Sequence, residues 1–134
     1  MQTEPPPRNP RRRILVVDDS SLVRLYYRNA LEGAGFEAEQ AINGIEAMEK
    51  VLAQDFDLVI VDVNMPRMDG FSFVRALRRS APGIATLPAL IISTEAGQQD
   101  IEDARVAGAN FYLVKPVSIV DLLRHVAALT GAPR

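Results

Sequence analysis

The chain has 134 residues without a single cysteine, and His125 is its one histidine. These absences exclude a disulfide scaffold, a thiolate metal site, cysteine catalysis and a cluster of histidine metal ligands. No apolar run approaches the roughly 18 residues of a membrane helix, and the polar, proline-rich start of the chain lacks a hydrophobic signal segment. We therefore expect a cytoplasmic protein that neither enters a membrane nor is exported.

The charge balance gives the chain no general attraction to nucleic acid. Its 15 basic residues oppose 17 acidic ones, for a net charge of −2 at pH 7. Residues 1–13 are rich in proline and arginine and are predicted to form a flexible tail, either a solubilising extension or a weak docking element. Residues 14–131 are predicted to form one domain, which carries the acidic excess, and residues 132–134 end the chain.

Short apolar runs at regular intervals predict a parallel sheet. Four of them are strand-length and rich in β-branched or aromatic residues, at 14–17, 58–61, 89–92 and 111–114. Residues 36–41 alternate apolar and polar side chains and predict an edge strand. Because helical stretches separate the strands, the pattern predicts an α/β fold with a mainly parallel sheet covered on both faces.

The predicted helices are amphipathic. The last one is predicted to begin after Ser118 as its N-cap. The apolar faces expected to pack on the sheet are Leu22, Leu25 and Tyr26 in the first helix, Ile45, Met48, Val51 and Leu52 in the second, Phe73, Val74 and Leu77 in the third, and Ile119, Leu122, Leu123 and Val126 in the last.

Polar side chains follow the buried strands where each strand ends. In open parallel sheets these ends line the ligand-binding crevice. Three carboxylates meeting there would repel one another unless a cation neutralised them, and oxygen ligands alone favour magnesium, or manganese, over zinc. The residues at the strand ends are Asp18 and Asp19, Asp62, Ser93 and Thr94, and Lys115 and Pro116.

The chemistry of such a site is narrowed by what accompanies it. Glycine loops that cradle nucleotide phosphates are missing, and paired aspartates after the first strand would repel a flavin phosphate. A carboxylate that attacks phosphorus beside a metal ion remains, with Asp62 as nucleophile and Lys115 as a second cation. A phosphohydrolase would need an aspartate where this chain has Asn64. A binding module governed by partner contacts, such as a phosphate sink or scaffold, stays open.

The order of these motifs resembles the receiver domain of two-component response regulators. The resemblance covers residues 14 to about 131 and rests on Asp18–Asp19, Asp62 with Met65–Pro66 and Asp69–Gly70 behind it, Ser93, and Lys115–Pro116. It implies a flavodoxin-like (βα)5 doubly wound parallel sheet with strand order 2-1-3-4-5. The resemblance is to stand-alone, chemotaxis-type receivers, so no effector domain is expected after Arg134.

The resemblance implies a role for each acidic residue. Asp62 is expected to be the phosphoacceptor and, with Asp19, a ligand of magnesium. Asp18 is expected to act through bound water, and Asn64 to offer its backbone carbonyl. Such a domain is a signalling phosphoacceptor and not an enzyme in the ordinary sense.

The resemblance also implies how the site reports its state. Lys115 would pair with the phosphoryl group, and its bond to Pro116 is expected to be cis. The Ser93 hydroxyl would bond the phosphoryl group, after which Tyr112 would turn inward as the aromatic switch.

Two polar positions are expected to set the lifetime of the phosphoryl group. Asn64 and Glu95 can both orient an attacking water, so a short-lived aspartyl phosphate is expected. Thr94 stands where a smaller alanine is common, and its bulk could slow access to the site.

The partners implied are a histidine kinase or phosphotransfer protein as donor and a downstream protein as target, with no nucleic acid. The chain is expected to be a monomer or a weak phosphorylation-dependent dimer.

Asp69 and Gly70 are expected to open the third helix, and His125 to be exposed. An output face on the fourth helix, fifth strand and last helix would include Ile101, Arg105, Tyr112, Val117 and Asp121.

Overall fold

The computed structural model describes residues 12–65 and 67–131. The strands are β1 (Arg13–Val17), β2 (Glu37–Ala41), β3 (Leu58–Asp62), β4 (Ala89–Ser93) and β5 (Phe111–Val114). The helices are α1 (Ser21–Gly33), α2 (Gly44–Ala53), α3 (Gly70–Arg78), α4 (Pro82–Ala85), α5 (Gln98–Ala107) and α6 (Ile119–Thr130). Among these helices none is long and apolar enough to cross a bilayer.

The five strands form one parallel sheet in the order β2-β1-β3-β4-β5. This confirms the predicted fold class and strand order, with β2 at one edge. The central strands β3 and β4 are buried along their whole length, because helices cover both faces of the sheet. All strand carboxyl ends therefore meet along one edge of the sheet.

The core consists of two layers, one on each face of the sheet. Alternate residues of β1 illustrate the division: Leu15 and Val17 pack with α2, α3 and α5, whereas Ile14 and Val16 pack with α1 and α6. Phe73 on α3 is the largest fully buried side chain in the first layer, and Leu122 on α6 is fully buried in the second. The two layers fix the helices against the sheet and so fix the loops between them.

Short polar side chains cap the N-termini of four of the helices. Each capping side chain accepts a hydrogen bond from the backbone N–H of the residue three positions further along the chain. The capping residues are Ser20, Asn43, Asp69 and Ser118. The predicted start of the last helix at Ser118 and of the third at Asp69 is confirmed. Because each cap fixes the residue at which a loop ends, the loops that follow β1, β2, β3 and β5 have defined ends.

Several boundaries differ from those predicted. β1 begins at Arg13, one residue earlier than expected, because its amide donates to Asp57 Oδ2 at 2.8 Å and its position pairs with Glu37. β2 begins at Glu37, not at residue 36. The one-turn helix α4, begun by Pro82, was not predicted and makes the fourth and last predicted helices α5 and α6. Residues 1–11 of the predicted tail and residues 132–134 lie outside the described residues.

The predicted packing faces of the first two helices were partly wrong. In α1 the buried residues are Tyr27 and Leu31, while Leu22 is 78% exposed. In α2 Val51 is buried as predicted, but Leu52 is 66% exposed. Strand β5 was predicted to be buried on both faces, yet Phe111 and Val114 are exposed, because β5 is the second edge of the sheet.

Candidate functional site

Three carboxylates meet at the carboxyl edge of the sheet. Asp18 and Asp19 follow β1, and Asp62 ends the neighbouring β3. Each offers an oxygen within 4.8 Å of the other two, so they form one acidic site. Asp18 and Asp62 are buried, whereas Asp19 faces solvent. The acidic site thus has a buried floor of two carboxylates and one carboxylate that is exposed to solvent.

Lys115 brings a positive charge to the acidic site from the end of β5. Its Nζ lies 3.4 Å from Asp62 Oδ1 and 3.6 Å from Asp18 Oδ2. Its amide donates to Ser93 O at 2.7 Å, which ties it to the end of β4. The Lys115–Pro116 peptide bond is cis, as the resemblance implied. One lysine cannot neutralise three carboxylates, so the site retains an excess of negative charge.

The turn behind Asp62 is packed tightly against the backbone. Asp69 caps α3 by accepting from Ser72 N at 2.8 Å, and the Gly70 amide donates to Val63 O at 3.0 Å. A Cβ on Gly70 would lie 2.4 Å from Asp62 O. Glycine is therefore needed where α3 begins, because the helix start rests on the backbone of Asp62.

The environment of Asp62 disfavours its charge. Burial raises the pKa of Asp62 above its usual value of 3.8, and the Asp18 carboxylate raises it further, while Lys115 lowers it. The same surroundings raise the pKa of Tyr27 to about 12, through burial first and the nearby charges of Asp18 and Asp62 second. In the metal-free protein the negative charge of Asp62 is therefore unfavourable, and a cation at the acidic site would reduce this cost.

The pKa shift predicts that Asp62→Asn stabilises the metal-free protein. An acid whose pKa is raised by folding loses stability as pH rises from its unfolded pKa to its folded pKa. The advantage of the variant should be absent near about pH 3 and reach a plateau towards neutral pH. Urea unfolding in chelator across this range measures it, with the exposed Asp55→Asn as control. Equal stability of Asp62→Asn and wild type at pH 7 would contradict the expectation.

Ser93 ends β4, the strand next to β3, and is linked to β5 through one loop residue. Ser93 is fully buried, and its Oγ accepts a hydrogen bond from Glu95 N at 3.1 Å. The Tyr112 hydroxyl in turn donates to Glu95 O at 2.6 Å. The backbone of Glu95 thus connects the predicted switch residues Ser93 and Tyr112. Thr94 between them is exposed.

The other predicted residues are spread over three elements. Asn64 is exposed in the loop after β3. Ile101 and Arg105 are exposed on α5, and Asp121 on α6 accepts from Arg124. Val117 follows β5, is half-buried and packs against the core layer that contains α1 and α6 residues.

His125 is half-buried, so its predicted exposure was wrong. Its Nδ1 lies 2.7 Å from Asp121 O, and its ring centroid lies 4.6 Å from that of Phe111. Because Phe111 lies on the exposed edge strand β5, the two rings shield each other from solvent. The residue is held by packing and lies away from the acidic site.

An apolar pocket that was not predicted from the sequence lies beside Lys115 of the acidic site. It has a volume of about 500 Å³ and is open to solvent. The side chains that predicted a buried face of α1 form one wall, and the loop after β5 forms the other. The lining residues are Leu22, Val23, Tyr26, Tyr27, Thr94, Lys115, Pro116 and Val117. The sequence did contain a signal for this pocket, because α1 has more apolar residues than can pack on one buried face.

The comparisons with known proteins agree with this geometry. The family model described as response regulator receiver domain matches residues 14–127. The chain therefore belongs to the response regulator receiver family. It shares the structure of the chemotaxis response regulator CheY4 of Vibrio cholerae, with a TM-score of 0.84 and 36% identity over 89% of this chain and 98% of that one.

Two curated relatives contain a similar segment within longer proteins. The gliding motility regulatory protein of Myxococcus xanthus is 40% identical over 113 residues, 84% of this chain and 14% of that protein. The transcriptional regulatory protein PrrA of Mycobacterium leprae is 38% identical over 117 residues, 87% of this chain and 49% of that protein. The chain thus spans half the length of these relatives or less. Receiver domains act as signalling phosphoacceptors, bind Mg²⁺ through acidic residues and interact with histidine kinases and downstream targets.

Proposed function

We propose that Asp62 accepts a phosphoryl group from a phosphohistidine of a histidine kinase or phosphotransfer protein, and that the modified domain changes its affinity for a target protein. The observation that carries the proposal is the acidic site itself. Three carboxylates lie within 4.8 Å of one another, and Lys115 Nζ lies 3.4 Å from Asp62. Lys115 and a cation can together hold the oxygens of a phosphoryl group while Asp62 attacks.

The donor atoms fit magnesium, with manganese as a substitute. Asp19 and Asp62 would ligate the ion directly, Asp18 through water and Asn64 through its backbone carbonyl. Every one of these donors is an oxygen, which hard divalent cations prefer. The bound ion would neutralise the carboxylates and the phosphoryl oxygens.

The transfer itself is an in-line displacement. One oxygen of the Asp62 carboxylate forms a bond to phosphorus as the bond from phosphorus to the donor imidazole nitrogen breaks, and the imidazole leaves with that electron pair. Lys115 pairs with the phosphoryl oxygens, and the Ser93 hydroxyl donates to one of them. Asn64 and Glu95 orient the water that later hydrolyses the acyl phosphate, which limits its lifetime.

The hydrogen bonds around Glu95 support a route from the site to the output face. Movement of Ser93 towards a phosphoryl group would shift Glu95 N, and with it the Glu95 carbonyl that Tyr112 holds. Tyr112 would then change its exposure on β5, between α5 and α6. The partner binds this face, which includes Ile101, Arg105 and Asp121, or a second copy of the domain binds there.

The apolar pocket suits the donor protein. It adjoins Lys115 and Thr94, so a helix carrying the phosphohistidine can place apolar side chains between Leu22 and Val117 while its imidazole reaches Asp62. The exposed Leu22 and Tyr26 would be buried by this contact.

Phosphorylation can be tested with a small-molecule phosphodonor and magnesium. We expect intact mass to show a single base-labile phosphoryl group on the wild type and none on Asp62→Ala, because the attacking carboxylate is removed. The exposed Asp55→Ala should be modified like the wild type. The decay of the added mass gives the lifetime.

A different outcome would overturn the assignment. Equal modification of Asp62→Ala would place the phosphoryl group elsewhere. A wild type that binds magnesium but gains no phosphoryl group, even from a phosphohistidine protein, would favour a scaffold governed by partner contacts.

A further inference from the structure

Arg24 reaches from the second turn of α1 back to the acidic site. One terminal nitrogen of its guanidinium donates to the main-chain carbonyl of Asp18 at 2.7 Å, and its Nε donates to Gln40 Oε1 on β2 at 3.0 Å. Arg24 is half-buried, so solvent competes weakly for these hydrogen bonds. A single side chain thus joins the loop after β1 to the edge strand β2.

The hydrogen bond acts on the peptide plane between the two adjacent aspartates. The carbonyl of Asp18 and the amide of Asp19 belong to one planar unit. A donor that fixes the direction of this carbonyl therefore fixes the direction in which the chain enters Asp19. β1 ends at Val17 and α1 begins at Ser21, so neither element imposes this orientation.

The other contacts of Asp18 involve its amide and its carboxylate, whereas its carbonyl accepts from Arg24. The Asp18 amide donates to Ala41 O at 3.1 Å, its Oδ1 accepts from Ser20 N at 2.9 Å, and its Oδ2 faces Lys115. Asp18 is thus held from four sides. Asp19 is exposed and depends on its neighbours for its position.

We propose that Arg24 is a positioning residue that holds the Asp18–Asp19 peptide so that the acidic site is preformed for a divalent cation. This inference rests on the proposed function of the acidic site. Magnesium demands near-ideal octahedral geometry, so a loop that samples several orientations binds it more weakly. Groups behind the ligands commonly change metal affinity about 10- to 100-fold.

Two other roles predict different results. A guanidinium that only repelled the cation would weaken binding, and its removal would tighten it. A clamp that only held α1 against β2 would change the stability of the protein without changing its affinity for the metal. Measurements of metal affinity and of unfolding on the same variants therefore separate the three roles.

The test is the affinity of the full chain for Mg²⁺, measured by calorimetry, and for Mn²⁺, measured by the electron paramagnetic resonance of the free ion. Arg24→Met should weaken both about 10-fold. The matched control is Arg28→Met, one turn further along α1, where the arginine side chain is 43% exposed and pairs with Glu32 at 3.4 Å. Its affinity should equal that of the wild type.

Two further variants test the geometry and replace Arg24→Met if that variant fails to fold. Gln40→Ala removes one acceptor and should weaken the metal affinity less than Arg24→Met. Arg24→Lys should restore part of it, since an ammonium reaches one acceptor but cannot bridge both. With excess magnesium, the phosphorylation rate of Arg24→Met should return to the wild-type rate.

The outcomes also separate this inference from the function beneath it. Wild-type affinity or tighter in Arg24→Met and Gln40→Ala would overturn the positioning role while leaving the phosphoacceptor site intact. A wild type that binds neither ion at the acidic site would instead overturn the proposed function.

Discussion

Replacing Arg78 with methionine is expected to lower the free energy of unfolding by about 3–5 kcal/mol. The guanidinium of this α3 residue donates to the carbonyls of Gly108 at 2.9 Å, Ala85 at 3.0 Å and Leu87 at 2.7 Å, and to Asn110 Oδ1 at 2.9 Å. The loss is large because one side chain joins the ends of α4 and α5 to the starts of β4 and β5. Burial lowers the pKa of Arg78 from its usual value, because partial removal from water disfavours the charged guanidinium.

Urea unfolding followed by circular dichroism measures this loss. Arg75→Met is the matched control, because Arg75 is exposed one turn earlier on α3 and contacts Ser72. The control should stay within about 0.5 kcal/mol of the wild type. An Arg78→Met protein as stable as the control would show that water replaces the four hydrogen bonds without loss. The acidic site lies at the carboxyl ends of the strands, whereas Arg78 contacts the opposite ends. The metal affinity of the folded protein should therefore change little.

The grouping of charged residues at the acidic site could be predicted because it follows from strand order. Asp18, Asp62 and Lys115 each stand directly after an apolar run, and parallel strands bring such positions to one edge. The predicted sheet was confirmed for the same reason, since buried central strands carry a continuous apolar signal. Asp69 and Ser118 were recognisable as caps because their side chains act on residues three positions away.

Contacts across long sequence separations could not be predicted. Arg24 and Arg78 each donate to main-chain carbonyl oxygens, which every residue carries, and to one side-chain amide far away in the sequence, so the sequence holds no partner motif for either of them. The exposed side of α1 was misassigned because Leu22 and Tyr26 have the helical spacing of a core face. These residues line a pocket because β5 is an edge strand and the loop that follows it lies beside α1. This arrangement is visible in the structure and not in the spacing of the residues.

The acidic site combines a destabilising charge cluster with rigid surroundings. The carboxylates of Asp18 and Asp62 repel each other in a buried setting, while Lys115, the Ser20 amide and Arg24 hold the Asp18 segment in place. A site held in this way does not relax by moving apart, so its negative charge remains available to a cation.

The strongest link between fold and chemistry is the start of α3, where Gly70→Ala is expected to damage both. The new Cβ would lie 2.4 Å from Asp62 O and 3.0 Å from Val63 Cα, and neither backbone atom can move without moving the end of β3. We expect a loss of about 2–3 kcal/mol in the free energy of unfolding. Displacing Asp62 by even about 1 Å should slow phosphorylation roughly 100-fold.

Gly83→Ala is the matched control for this prediction. A Cβ on Gly83 in α4 would meet nothing within 4 Å, so the variant should be as stable as the wild type or slightly more stable, since alanine restricts the unfolded chain. Urea unfolding and the rate of mass gain with a phosphodonor are measured on both variants. If Gly70→Ala retained wild-type stability and rate, α3 would have room to shift away from β3. The position of Asp62 would then be set by β3 and its neighbouring strands alone, and the glycine after Asp69 would serve the helix start only.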